Sequence, residues 1–243
     1  MSQSADVKEL PKADIHLHAE TQARLERLVA RQSGRSPHTW ASRVKRVREL
    51  PEGMDRFDLL LTEKHVLDPE FEPDQIEDLD DDANFVAWLT DVMLDAAEEG
   101  TVLFEMRFGF GWSLRPGFMS RFQEAEAAAR ARHPGFHAET IITGVWPERP
   151  GAEQMFEACH RLKDEGLAGI DFIPEPYDRE ANWLGVHDWA AQAASAGLGI
   201  NAHAGELSSA NIAAALRVPG LTRIGHGVHA ADTGRPAEGG RPV

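Results

Sequence analysis

Gly199-Ile200-Asn201-Ala202-His203-Ala204-Gly205-Glu206 is a short apolar run that ends on a histidine and breaks at a glycine. A run this short, bounded by glycines, reads as a buried strand over 198–203. Just upstream the pattern changes. Residues 186–195 are rich in alanine and stop before Gly197, as a helix stops at a C-terminal glycine. Just downstream lies another apolar run, 221–228. Working back toward the N-terminus, the same alternation gives strands over 166–174, 138–146, 101–110 and Lys12–His18. Between them, 152–165 places Met155, Phe156, Cys159 and Leu162 on one helical face and stops at Gly166. Residues 82–99 place Phe85, Trp88, Leu89, Val92 and Met93 at helical spacing before Gly100. Trp88 and Met93 could be taken for a ligand box, but a stripe packing on the core is the simpler reading. Strands that alternate with helices predict an α/β fold with a parallel sheet.

A length of 243 residues is close to the roughly 250 typical of one (β/α)₈ barrel. Six strands are visible, and residues 19–100 form a long excursion after the first, read as a helical insertion. The expected layout is therefore one incomplete (β/α) barrel domain over 1–231. The tail over 232–243 is rich in Gly and Pro and is expected to be disordered.

Forty acidic residues against 25 basic ones give a net charge of -15. Nucleic acid is a poor partner for such a surface, because phosphate neutralisation needs a surplus of Lys and Arg. A hydrophobic fraction of 42% supports a sizeable core. The single cysteine, Cys159, excludes an intrachain disulfide and a cysteine zinc cage. No apolar run is long enough to span a membrane, and Met1 to Asp6 lack the basic-then-apolar start of a signal peptide. The expectation is a soluble, reduced, cytoplasmic protein.

Three strand ends carry candidate chemistry. In Asp14-Ile15-His16-Leu17-His18 the two histidines are at i and i+2, so both imidazoles leave the same face of the strand. That is half of a tetrahedral zinc site, although an isolated pair also fits buried, hydrogen-bonded histidines. His203 and Glu206 put a possible ligand at a strand end and a carboxyl group just beyond it, where barrel loops build active sites; a turn with an exposed glutamate is the plainer alternative. His226 stands between Gly225 and Gly227, which permits close backbone approach. A structural histidine in a glycine-rich turn competes with that reading, and His229 reads as a surface residue. There is no H-E-x-x-H, and no H-x-E followed by P-C-x-x-C, so the cytidine deaminase type of zinc site is excluded. The fourth strand has no lysine to bridge two metals, which favours a mononuclear site.

Taken together and in order, these motifs resemble the adenosine deaminase family of zinc-dependent purine deaminases, within the metal-dependent amidohydrolases. LPKADIHLHAE (10–20) looks like the first-strand motif, AHAGE (202–206) is similar to the H-A-G-E signature, and RIGHG (223–227) resembles a further signature. Glu105-Met106-Arg107 resembles the family's E-x-R, and Gly169-Ile170-Asp171 its G-[IVF]-D. The resemblance runs from about residue 9 to about residue 230. It implies a TIM-type (β/α) barrel that binds one zinc ion per chain and hydrolytically deaminates adenosine or a related adenine-containing nucleoside or base.

In that reading His16, His18 and His203 are the zinc ligands, with His18 also on the substrate side. Glu206 protonates the purine N1, and His226 orients the attacking hydroxide and stabilises the developing charge. The Gly169 backbone contacts the purine edge, and Glu20 contacts the ribose side. Glu20 sits in Ala19-Glu20-Thr21, where the family has Leu, then Asp or Glu, then Gly. The resemblance also implies that the last two βα units are missing, with the S-L-N-T-D-D-P motif whose two aspartates complete the zinc shell and position water. The acids Asp78, Asp80, Asp81 and Asp82 begin a predicted helix and do not replace them. The expected consequences are poor turnover, a C-terminus set by early termination or a frame change, and self-association through open sheet edges. The alternative is a catalytically silent purine- or metal-binding protein on the same scaffold.

Overall fold

A computed structural model describes residues 10–19 and 81–232. Six strands form one sheet: β1 (Lys12–His18), β2 (Thr101–Phe108), β3 (His137–Val145), β4 (Gly169–Phe172), β5 (Gly199–Ala204) and β6 (Leu221–His226). They lie in the order β1-β2-β3-β4-β5-β6. The helices are α1 (Asp82–Glu98), α2 (Phe118–Arg132), α3 (Ala152–Asp164), α4 (Leu184–Ser195) and the short α5 (Ile212–Ala215). Sequential strands with intervening helices are the arrangement of the first six βα units of a (β/α)₈ barrel, as the sequence predicts. The pairs β3–β4, β4–β5 and β5–β6 are parallel. No described helix is long and apolar enough to cross a membrane.

The predicted boundaries shift by a few residues, and one helix is added. The second strand ends at Phe108, and a 3₁₀ turn over Phe110–Leu114 takes over. The fourth begins at Gly169 because residues before it close helix α3, with Leu167 N–H bonding Leu162 C=O at 3.0 Å. Helix α2 was not singled out by periodicity: five alanines and charged residues dilute its stripe, yet Phe118, Met119, Phe122, Ala125 and Ala129 are buried. The middle of the insertion, residues 20–80, and the tail from 233 onward lie outside the described residues.

The described residues divide into two compact units. The first holds α1 and most of α2. Asp81 caps α1, its carboxylate accepting from Asn84 N–H at 3.0 Å. Asp82 pairs with Arg121 at 2.5 Å and Glu98 with Arg132 at 3.7 Å, so the two helices run side by side in the same direction. The predicted stripe of α1 is buried as expected, from Phe85 through Met93.

The second unit takes in residues 14–19, 103–120 and 138–232, and so the ends of the strands. Strand alternation sorts its side chains. One set is apolar and buried, with Phe104, Met106, Ile170, Phe172, Ile200 and Ala202, while the opposite set is buried and polar: Glu105, Arg107, Thr143, Asp171, Asn201 and His203. The register aligns Thr143, Asp171, Asn201 and Arg223 across four neighbouring strands. A row of hydrogen-bonding side chains thus runs beneath the strand ends.

Candidate active site

His16 and His18 leave β1 on one face, as i and i+2 residues must, and meet His203 from the end of β5. The ligand nitrogens of the three all lie within 4.8 Å of one another. His18 Nε2 is 3.0 Å from His203 Nε2. His226 completes the group, its ring centroid 4.5 Å from that of His16 and 5.0 Å from that of His203. Glycine makes the assembly possible. Gly225 stands opposite His203 in the β5–β6 register, and a Cβ there would come within 2.6 Å of His16 Cε1. His226 follows with a φ of 73°, a left-handed conformation that a non-glycine residue adopts at a cost.

The polar row holds this cluster from below. Arg107 Nε donates to Asp171 Oδ2 at 2.8 Å, and its Nη1 donates to the carbonyl of Ile15 at 2.7 Å, one residue before His16. His203 Nδ1 lies 2.8 Å from the same Asp171 oxygen, off the line of a straight hydrogen bond. Thr143 adds a hydroxyl contact at 3.3 Å. With the proton of His203 drawn to Nδ1, Nε2 is left as a lone pair beside His16 and His18. Glu105 is bridged by Arg107 at 3.3 Å and by Arg223, which also donates to Asn201 at 3.0 Å.

These neighbours set the protonation states. Burial at Asp171 opposes charge, but His203 and Arg107 outweigh it and bring its carboxyl down to about 2. Burial, with the Arg107 guanidinium and the other imidazoles, lowers His16 to about 3. Burial and His203 lower His18 to about 4. His226 is lowered as well, by burial first. Neutral imidazoles are what a metal requires, and His16 Nε2 is buried with no hydrogen-bond partner in the protein. A lone pair buried in this way, among three imidazoles, fits a metal ion.

Glu206 sits three residues past His203 with Oε2 3.2 Å from His226 Nε2. It also accepts a hydrogen bond from the hydroxyl of Tyr177, in the loop after β4. Tyr177 and the buried Asn211 are site features that sequence reading missed. Their partners are 28 or more residues away in the chain, and no local pattern announces such contacts. Asp171 and Arg107 were visible only as motif fragments, and the structure gives them their connection to the histidines.

Gly169 is not brought to the cluster. It begins β4 opposite Gly199, four residues short of the level of His203, roughly 13 Å along a strand. A Cβ on Gly169 would lie 2.5 Å from the Gly199 carbonyl, so close strand approach explains this glycine. Glu20 lies outside the described residues.

A family model described as adenosine deaminase matches residues 11–237. Among solved structures, an adenine deaminase from Arthrobacter aurescens aligns with a TM-score of 0.57 at 20% identity, over 90% of this chain and 65% of that one. An amidohydrolase from Burkholderia ambifaria with bound Zn aligns at 0.53 and 20%, over 93% and 61%. An N6-mAMP deaminase from Arabidopsis aligns at 0.50 and 17%, over 82% and 60%. At these identities the likeness is one of fold, and the chain spans less than two thirds of each of these structures. No curated protein matches the sequence.

Proposed function

The chain belongs to the adenosine deaminase family, and from that premise we propose that it carries out zinc-dependent hydrolytic deamination of adenosine or a related adenine-containing nucleoside or base. The observation that carries the reading is the convergence of His16, His18 and His203, with His226 between them and Glu206. Three histidines with one position open suit a catalytic zinc ion. The chemistry zinc supplies when bound is the acidification of water, to a pKa of about 7.

The remaining work falls to the protein. His16, His18 and His203 hold the ion, and Asp171 keeps His203 in the right tautomer. Glu206 delivers a proton to the purine ring nitrogen, which makes the carbon bearing the amine electrophilic. His226 faces both the histidine cluster and Glu206, and stabilises charge as water adds and ammonia leaves. The partner is a small purine, handled in the cytoplasm as part of purine metabolism. A net charge of -15 agrees with it, since such a surface repels nucleic acid and anionic membranes.

A second reading keeps the same histidine cluster as a site that binds zinc and purine without turnover. Ammonia release from a panel of adenine, adenosine and their deoxy and 5′-substituted analogues decides between the two. Deamination should fall by roughly 10² to 10⁴-fold in Glu206→Gln, as for a lost general acid, with zinc content unchanged. Zinc and purine binding without ammonia from any compound would establish the silent protein.

A further inference from the structure

We propose that Tyr177 is a positioning residue for Glu206: its hydroxyl and His226 both occupy Oε2, which leaves Oε1 as the oxygen that handles the substrate proton. The destination of that proton rests on the deaminase reading above; the contact itself does not.

The geometry at Glu206 is specific. The Tyr177 hydroxyl donates to Oε2, and His226 Nε2 stands 3.2 Å from the same atom. An oxygen that already receives the phenol hydrogen and faces the His226 nitrogen is a poor place for a proton, so a protonated Glu206 carries it on Oε1. Without the phenol, the carboxyl group would be free to rotate and exchange the two oxygens. Burial and the Glu206 carboxyl raise the ionisation of Tyr177 above its ordinary range, so the phenol stays a donor. Its ring centroid lies 6.5 Å from that of His203, on the edge of the cluster.

Tyr177 is itself held in place. Asn211, 2% exposed, accepts from Ala181 N–H and Trp183 Nε1, both at 3.0 Å. Its amide nitrogen donates to the carbonyls of Arg179 at 2.8 Å and Tyr177 at 3.3 Å. Both amide hydrogens and the oxygen are in use, so the side chain has one orientation. Asn211 follows Glu206 in the same β5–α5 connection. One buried side chain therefore ties the loop that carries the donor to the loop that carries the acceptor.

Tyr177 is the only tyrosine in the chain, so ¹³Cζ-tyrosine labelling of the 243-residue protein gives one NMR signal. That signal should move in Glu206→Gln and Glu206→Ala, and stay in place in Glu175→Gln, an exposed acid of the same loop that pairs with Arg149. Tyr177→Phe keeps the ring and removes the hydroxyl. It should lower kcat by roughly 10- to 100-fold, the value of a hydrogen bond to a charged group, with KM little changed. A signal unmoved by both Glu206 substitutions would overturn the proposal, as would a wild-type kcat in Tyr177→Phe. If the signal moves but no adenine compound is deaminated by the wild type, the Tyr177–Glu206 contact is upheld and the deaminase reading falls.

Discussion

His16 and His18 are neutral in the folded chain at any pH above about 3 and about 4, respectively, while an unfolded chain protonates both near 6.5. As pH falls below 6.5 the unfolded state therefore takes up protons that the folded state refuses, and stability drops. In chelator, the melting temperature of the metal-free protein should decline steadily from pH 7 toward pH 4; a flat profile would mean the folded imidazoles take up protons as readily as those of the unfolded chain. Asp171 works in a lower window. Its carboxyl stays ionised down to about 2, against an ordinary 3.8, so its contribution is complete above about pH 4 and is lost only in stronger acid. Asp171 also faces His203 Nδ1. Asp171→Asn should weaken zinc affinity by about 10- to 100-fold, as for partners of metal-bound histidines. Titration with a competing chelator measures this, and unaltered affinity would remove Asp171 from the site.

At the scale of elements, strand ends and loops divide the labour. The six strands were legible because a strand announces itself locally, through short apolar runs between glycines. The histidines were legible for the same reason: i and i+2 positions on one strand share a face, whatever the rest of the chain does. Gly225 was legible as a glycine beside a histidine, and the structure supplies the reason, a Cβ 2.6 Å from the His16 ring. Gly225→Ala should displace that ring and lower zinc occupancy while circular dichroism stays native; normal occupancy would show that the ring has room to yield. Gly169 was read through a motif, and register shows it far from the cluster. Tyr177 and Asn211 were invisible because their value comes from joining two loops, which no spacing encodes. Asn211→Ala leaves the buried Trp183 Nε1 and neighbouring backbone groups without a partner, at about 1–3 kcal/mol for each unsatisfied group. Proteolysis should then appear within residues 173–183, and a loop that stays resistant would deny Asn211 its part.

At the scale of the molecule, β1 and β6 are the two ends of the described sheet. Each offers backbone N–H and C=O groups to another strand unless something else covers them. In the 243-residue chain, pairing of either edge with a second copy would appear as self-association at rising concentration, which sedimentation detects. A monomer at every concentration would show that the edges are protected. Both that behaviour and the chemistry depend on one assembly, since the cluster draws His16 and His18 from the first strand and His203 from the fifth. Metal analysis tests that assembly most directly. Purified protein should hold up to one zinc per chain, and His16→Ala and His203→Ala, on strands far apart in sequence, should each lower it sharply. Zinc content unchanged in both variants would contradict a metal centre built from these histidines.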